Sequence, residues 1–413
     1  MSLVREDDLQ GLLKDAATEF DVPGAQLGLL HDGRRSVVCS GLLENAGERS
    51  VVASTAFHAG SLAKAVTGLV VLDAARNGNL DLDAPCEEQG PGLWPDTPRA
   101  LLSQTTGRPN LLPEDDEGLE AFCARVATLP LVHEPGRFSY CNAGWSALDL
   151  LLRRTTGRTF EELASSALPH MTFSMPENGA AGHVSVAGHD PDPAPPTYAA
   201  AATAAGSRWW VTADQLLDFV ELNLTARDGI FAAADLSAVR TPTAALPGAT
   251  VFDSWGLGWA IWDRGPHQAF GWAGYTGGHR AFVRCFPEQD AAMVLLANSA
   301  GPLFGPPGGS ALFDALLPRV LELLAVPPLA EPDYISTPRA TAELSGRYGP
   351  LLVEARGVDG VLLHAQALGQ PQPVLCTRLG GNTFNVSSNP PGSTPFAFDA
   401  GLLYLGPFAI PRA

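Results

Sequence analysis

Phe57-His58-Ala59-Gly60-Ser61-Leu62-Ala63-Lys64-Ala65-Val66-Thr67-Gly68 sets a serine three residues ahead of a lysine, at the mouth of an apolar run that continues through Leu69, Val70, Val71 and Leu72. The run is long enough for a helix, and residues i and i+3 of a helix share one face. Ser61 Oγ and Lys64 Nζ can therefore meet at a helix start. Such a pair forms an acyl-enzyme when the amine is neutral enough to take the hydroxyl proton. Ser-x-x-Lys alone is common by chance, and a solvated lysine on a helix surface is the competing reading. Composition weighs against that reading. Of 26 basic residues only Lys14 and Lys64 are lysines; the others are arginines. Arginine stays protonated and cannot act as a base. Lysine can, once burial or nearby positive charge draws its pKa down from about 10.4.

The rest of the composition narrows the function class. A chain of 413 residues suggests two or three domains at about 150 residues each. The net charge of −18 argues against nucleic acid, whose binding needs a basic face, and against an anionic membrane surface. No apolar run reaches the roughly 18 residues of a membrane span. The N-terminal Met-Ser-Leu-Val-Arg-Glu-Asp-Asp has no apolar signal core, so the expectation is a cytoplasmic protein without a secretory peptide. The six cysteines have no Cys-x-x-Cys spacing, which favours free thiols over a disulfide framework or zinc site. His183 and His189-Asp190 lie in a Pro/Ala/Gly-rich stretch and read as a solvated loop rather than a metal site.

Along the chain, residues 6–20 read as an amphipathic helix. Ala25–Leu30 and Ser36–Gly41 read as strands joined by the Asp32-Gly33 turn. The helix after Ser61 should stop near Asn77-Gly78. Residues 118–170 look helical in two pieces, interrupted by residues 134–142. Residues 174–200 look like a long loop, and Gln215–Leu224 like a helix capped by Thr212. Trp255–Asp263, Gly278–Phe286 and Ala291–Asn298 read as strands, and Phe313–Leu324 as a helix. After a Pro-rich linker come six short alternating segments: Leu351–Arg356, Val361–Gln366, Val374–Leu379, Thr383–Ser387, Phe396–Phe398 and Leu402–Phe408. They suggest a small antiparallel β domain. The expected architecture is α+β, with one antiparallel sheet built from both ends of residues 1–325 and flanked by helices, plus an all-helical subdomain. A linker over 326–337 and a β domain over 338–413 follow.

Two further motifs carry chemistry. In Tyr140-Cys141-Asn142 the tyrosine can shuttle a proton when a neighbouring cation stabilises its phenolate. Asn142 can donate an amide hydrogen bond to a substrate carbonyl or to the catalytic pair. An ordinary tyrosine packed on a loop is the plainer alternative. Phe270-Gly271-Trp272-Ala273-Gly274-Tyr275-Thr276-Gly277-Gly278 stands just before a strand, and glycines such as Gly274 let a ligand approach the backbone closely. A backbone N–H exposed there can form half of an oxyanion hole, with the Ser61 N–H as the other half. A Gly-rich hairpin with a buried tryptophan is the alternative.

Taken together, Ser61-x-x-Lys64, Tyr140-x-Asn142 and Trp272-Ala273-Gly274-Tyr275-Thr276-Gly277-Gly278 come in the order and spacing of the penicillin-recognising serine enzymes, which the chain resembles. These include class C β-lactamases, DD-peptidases and their esterase relatives; Ser-x-x-Lys is their nucleophile motif. Val22-Pro23-Gly24-Ala25, Leu101–Gly107, Glu134-Pro135-Gly136 and Trp255-Gly256-Leu257-Gly258-Trp259 look like further family phrases. The resemblance covers residues 8–325, and residues 338–413 resemble the lipocalin-like β domain that follows this fold in some members. Two positions depart from the pattern. Trp272 stands where the family usually has Lys or His, and Gln104 where His is frequent. A cation at the first would grip a substrate carboxylate. Indole offers a flat apolar wall and one N–H. Trp in this motif is similar to family VIII carboxylesterases and to acyltransferases such as the one that esterifies the statin core.

The resemblance implies a catalytic set of Ser61, Lys64 and Tyr140, with an oxyanion hole from the N–H groups of Ser61 and Tyr275. Asn142, Trp272 and Gly274 would contact substrate. No metal or organic cofactor is expected. The expected activity is hydrolysis of a carboxylic ester through a Ser61 acyl-enzyme. The alternatives are a cytoplasmic acyltransferase or peptide cyclase fed by an acyl-thioester or ester, a β-lactamase or DD-peptidase, and a non-catalytic binding protein. The partners implied are a small ester, thioester or peptide-like substrate and a possible homo-oligomer, with no nucleic acid and no membrane.

Overall fold

The computed structural model describes residues 5–114, 116–186, 189–194, 203–225, 229–265, 267–301, 307–334, 336–366, 372–387 and 395–413. Its centre is an eight-stranded sheet drawn from both ends of the first 300 residues. The hairpin Gly24–His31/Arg34–Gly41 pairs through its first strand with Ala291–Ala297. Arg280–Phe286, His267–Tyr275, Ala260–Arg264, Ser254–Trp255 and Ala244–Ala245 follow in that order. Every pairing in it is antiparallel. The register Ala25↔Ala297 to His31↔Ala291 stitches the N-terminal hairpin to a strand about 270 residues later. That closure is what the mixed order of strand and helix signals predicts.

One face of the sheet is covered by the helices Glu6–Glu19 and Gly309–Leu323, which also touch each other. On the other face, Ala213–Thr225 packs on Gly24–His31 and Ala291–Ala297. Next to it lies a helical region made of Ala63–Arg76, Leu119–Ala127, Asn142–Thr156 and Phe160–Ala167. The helix Ala63–Arg76 lies at its heart. Eleven of its 14 residues are buried, so it is wrapped on every side rather than amphipathic. Each buried Val or Leu there contributes about 1.5–3 kcal/mol relative to exposure.

The sequence reading needs four adjustments here. Residues 118–170 form three helices, because Gly157 ends one in a left-handed cap and Thr159 opens the next with a capping box. Residues 174–200 are not one loop: His183–Val184 pairs with Ser299–Ala300 and with Asp192–Pro193; residues 187–188 and 195–200 lie outside the described ones. His183 is fully buried, with Nε2 accepting from the Asn45 N–H and Nδ1 facing the Asn298 carbonyl. Both ring nitrogens are thus engaged in core hydrogen bonds. Finally, His267–Tyr275 is itself a strand, not only a stretch standing before one. Pairing on both flanks outweighs the weak strand preference of its glycines.

The C-terminal strands form a second eight-stranded sheet in sequential order, from Gly346–Tyr348 to Phe408–Pro411. The last expected segment splits in two at Gly406-Pro407, and Gly346–Tyr348 is an additional first strand. A bridge between Tyr348 and Arg412 brings the first strand to the last, so the sheet nearly closes into a barrel. Its interior is filled by Tyr348, Leu351, Val361, Phe384, Phe396, Phe398 and Leu403. A second side of this barrel docks on the first region. Ala397, Leu402 and Tyr404 join the main core, Arg137 pairs with Asp399 at 2.5 Å, and Thr250 Oγ1 donates to the Gly406 carbonyl at 2.9 Å.

The strand His267–Tyr275 meets the turn before Ser61 backbone to backbone. A Cβ on Gly274 would stand 1.8 Å from the Ala59 carbonyl oxygen. The Gly274→Ala variant is expected to lower the urea midpoint, with a loss of about 1–3 kcal/mol typical of overpacking. An unchanged midpoint would mean that the two segments are not in contact.

Candidate active site

Ser61 occupies a single 3₁₀ turn, Gly60–Leu62, that runs directly into the helix Ala63–Arg76. The i, i+3 spacing therefore brings its side chain beside Lys64: Oγ and Nζ are 3.1 Å apart. Because the helix is buried on every side, Lys64 is carried into the interior with no exposed surface. Its Nζ donates to Asn142 Oδ1 at 2.8 Å and to the Gly206 carbonyl at 2.6 Å. It also lies 4.9 Å from the ring centre of Tyr140 and 5.7 Å from that of Trp145. None of these partners is a carboxylate. Burial thus drives its pKa well below the ordinary lysine value, since the charged form loses water without gaining a counter-ion. A neutral amine fits the contacts. Nζ is within donor distance of Ser61 Oγ, Asn142 Oδ1 and the Gly206 carbonyl, and with one proton fewer it can keep the last two bonds and accept from the Ser61 hydroxyl.

Tyr140 donates its hydroxyl hydrogen bond to Ser61 Oγ at 2.7 Å. It is the second-last residue before the helix Asn142–Thr156, and the loop carrying it is fixed from beneath by Gln104. Gln104 Oε1 accepts from the Cys141 N–H, and its backbone carbonyl accepts from the Ser139 N–H, each at 2.9 Å. Asn142 differs from the sequence expectation. Its amide oxygen, not its amide N–H, faces the catalytic pair, and Nδ2 donates to Asn110 Oδ1 at 3.0 Å. Asn142 thus acts as an acceptor for Lys64.

The strand His267–Tyr275 supplies the opposite wall. Successive N–H groups along a strand point to opposite edges. The Thr276 N–H donates to His279 across the hairpin, so that of Tyr275 points away from Arg280–Phe286. Pairing with Ala260–Arg264 ends at Gly271, which leaves Tyr275 N–H aimed into the space beside Gly60 and Ser61. A Cβ on Gly60 would lie 3.2 Å from Tyr275 N. The two N–H groups expected to form an oxyanion hole are therefore adjacent.

Trp272 is 9% exposed. Its ring packs edge-on against Trp255 at 5.0 Å and Phe252 at 5.4 Å, and tilted against Tyr140 at 5.6 Å. Indole Nε1 is buried and has no hydrogen-bond partner among the described residues. The guanidinium contacts with tryptophan rings fall on Trp94 and Trp262. Arg280 and Arg284, the two arginines of this hairpin, sit opposite Tyr275 and Gly271 in the register and hence on the other face from Trp272 and Gly274. Trp255, Trp259 and Trp262 are core residues whose indole N–H groups donate to Leu102, Asn223 and Val251. Among the described residues, no ammonium or guanidinium lies over the Trp272 ring, which forms the pocket wall.

Sequence reasoning did not find three participants. Gly206, whose carbonyl holds Lys64, carries no side chain to signal it. Asn110 is an isolated asparagine on a Pro-rich stretch. The third is the barrel's last hairpin. The Pro407 carbonyl accepts from the Tyr140 N–H at 3.0 Å, and the Phe408 ring meets Tyr140 edge-on at 5.5 Å. Phe408 is 39% exposed, so it flanks the pocket. A cavity of about 410 Å³ lined by Met171, Trp209, Gln215, Phe219 and Leu222 lies elsewhere and includes none of the expected site residues.

The Beta-lactamase family model matches residues 9–315. The chain is 28% identical over 368 residues to penicillin-binding protein 4 of Amycolatopsis lactamdurans, covering 80% of this chain and 94% of that protein. Crystal structures of SurE and of SurE with D-Leu superpose with TM-scores of 0.80 and 0.79, at 26% and 25% identity and over 99% of both chains. The octameric penicillin-binding protein homologue of Pyrococcus abyssi shares the fold, with a TM-score of 0.69 at 19% identity over 98% of this chain and 100% of that one.

If Lys64 is the base, protonating it must stop the reaction. Labelling of Ser61 by a fluorophosphonate should therefore slow as pH falls through the Lys64 pKa. The midpoint of that limb is expected well below the ordinary 10.5. A labelling rate that keeps climbing through pH 10 would contradict the neutral lysine.

Proposed function

The chain belongs to the beta-lactamase family, and within it we propose an enzyme that acylates Ser61 from a carboxylic ester or thioester whose leaving end carries no free carboxylate. Lys64 takes the serine proton as Oγ attacks the carbonyl carbon. The developing oxyanion accepts hydrogen bonds from the Ser61 and Tyr275 N–H groups, which are worth most on the transition state rather than the bound ester. Tyr140, already donating to Ser61 Oγ, passes a proton to the departing alkoxide or thiolate. Water or a second nucleophile then releases the acyl group by the reverse sequence. Asn142 and Gly206 orient Lys64, and Trp272 shapes the pocket.

The observation that carries this reading is the wall at Trp272. A carboxylate entering there would meet the indole, Tyr140 and Phe252, and burying it unpaired is costly. An ester or thioester with an apolar, uncharged group loses little water and gains aromatic contact. This favours neutral donors over β-lactam and DD-peptidase substrates, which end in a carboxylate.

Whether water or an amine resolves the acyl-enzyme divides hydrolysis from transfer. The likeness to SurE bears on the acyl group rather than on this choice. It extends over the whole chain, barrel included, and SurE has also been crystallised with D-Leu. An acyl group ending in an apolar D-residue would place a compact aliphatic side chain against Trp272 and Phe408.

The test is intact-mass spectrometry with a panel of neutral esters, acyl-thioesters and a penicillin. The adduct on Ser61 should form fastest from the neutral donors, by at least about tenfold over the carboxylate-bearing one, which is 1.4 kcal/mol. Faster acylation by the penicillin would overturn the proposed substrate class. With a D-leucyl and an L-leucyl thioester offered alongside a free amine, transfer predicts condensed product from the D-form, and hydrolysis predicts free acid.

A further inference from the structure

Three residues before the nucleophile, His58 is 95% buried in a short strand that pairs with Trp210-Val211. Its Nδ1 accepts a hydrogen bond from the Gly60 N–H at 3.1 Å. Gly60 has φ +55°, a conformation that residues with a side chain adopt at a cost. The turn is thus a left-handed one, closed by a side-chain acceptor two residues upstream. Asparagine and aspartate make the same contact in Asx turns.

The surroundings fix that acceptor. The ring stands edge-on to Trp210 at 5.2 Å, and the His279 ring is 6.3 Å away. The Ala59 N–H donates to the Trp209 carbonyl at 2.7 Å, so the residue between His58 and Gly60 is also tied down. Nδ1 can accept only when it carries no proton, which places the ring proton of the neutral form on Nε2. Burial, with further lowering from His279 and Arg208, brings the His58 pKa to about 3. Imidazole therefore keeps its lone pair over the working range of most enzymes.

The consequence reaches the oxyanion hole. Gly60 packs against Gly274 and Tyr275 N, and Ser61 N–H is the next donor along the chain. If Gly60 rotates out of its left-handed turn, Ser61 N–H swings away from Tyr275 N–H. We infer that His58 is a positioning residue: its Nδ1 lone pair holds the Gly60 turn and so keeps the Ser61 N–H beside that of Tyr275. Nothing in the Ser-x-x-Lys spacing requires a histidine there, and the role rests on the acyl-enzyme reading above.

The experiment compares His58→Phe, which keeps a ring but removes the acceptor, with His58→Asn, which restores an acceptor for the residue two positions on. Stopped-flow acylation by p-nitrophenyl acetate gives kcat and KM, and thermal melting checks the fold. His58→Phe should lower the acylation rate by roughly ten- to a hundredfold, as expected for a small misplacement of a catalytic group, with KM changed less than threefold. His58→Asn should recover most of that loss. Equal losses in both variants would make the residue a packing element only and overturn the inference. So would acylation by His58→Phe within twofold of the parent. Should the parent protein itself form no Ser61 adduct, the acyl-enzyme reading fails first, independently of His58.

Discussion

Everything at this site depends on one lysine being stripped of water without being given a counter-ion. Eleven of the 14 residues of the helix Ala63–Arg76 are buried, so packing it drags Lys64 inside. There the amine finds an amide oxygen, a backbone carbonyl and a serine hydroxyl. Such neighbours satisfy its hydrogen bonds but do not supply the negative charge that would keep it protonated. The fold supplies the desolvation, and in the proposed reaction the resulting amine is the base. An arginine at the same place would remain charged and inert.

The second dependence is on close backbone contact. Gly60 and Gly274 let the nucleophile turn and the strand His267–Tyr275 touch. That contact sets two N–H donors side by side, and the sheet register aims one of them. The barrel adds a third element through Pro407 and Phe408, which grip the Tyr140 loop by backbone and ring. Its interior is packed with phenylalanines, so it serves as a wall and a clamp rather than a cup. The site is thus assembled from the helical region, the main sheet and the barrel, with Ser61 where they meet.

Much of this was legible in the chain before any coordinates. The three motifs, the two-ended sheet and the terminal β region are written in local signals: a serine and lysine at helical spacing, Asp-Gly between apolar runs, and alternating segments after a Pro-rich stretch. What local pattern could not carry was tertiary. The strand His267–Tyr275 reads only as the stretch before a strand because its glycines are poor strand formers, and pairing on both flanks is what makes it one. His183 looked solvated because Ala, Pro and Gly surround it, yet it is held by Asn45 and Asn298 from distant segments. The amide of Asn142 turned the opposite way because its donor finds Asn110. Gly206 and Pro407 contribute backbone carbonyls, which no residue type announces.

The central claim is the neutral amine at residue 64, and the sequence makes it unusually accessible to measurement. With only two lysines in the chain, ¹³Cε-labelled lysine gives two signals, and a Lys64→Arg variant identifies which is which. The account predicts that the Lys64 signal titrates well below the ordinary value of about 10.4, in the folded enzyme with no substrate present. A Lys64 resonance that stays in its ammonium position up to pH 10 would contradict it.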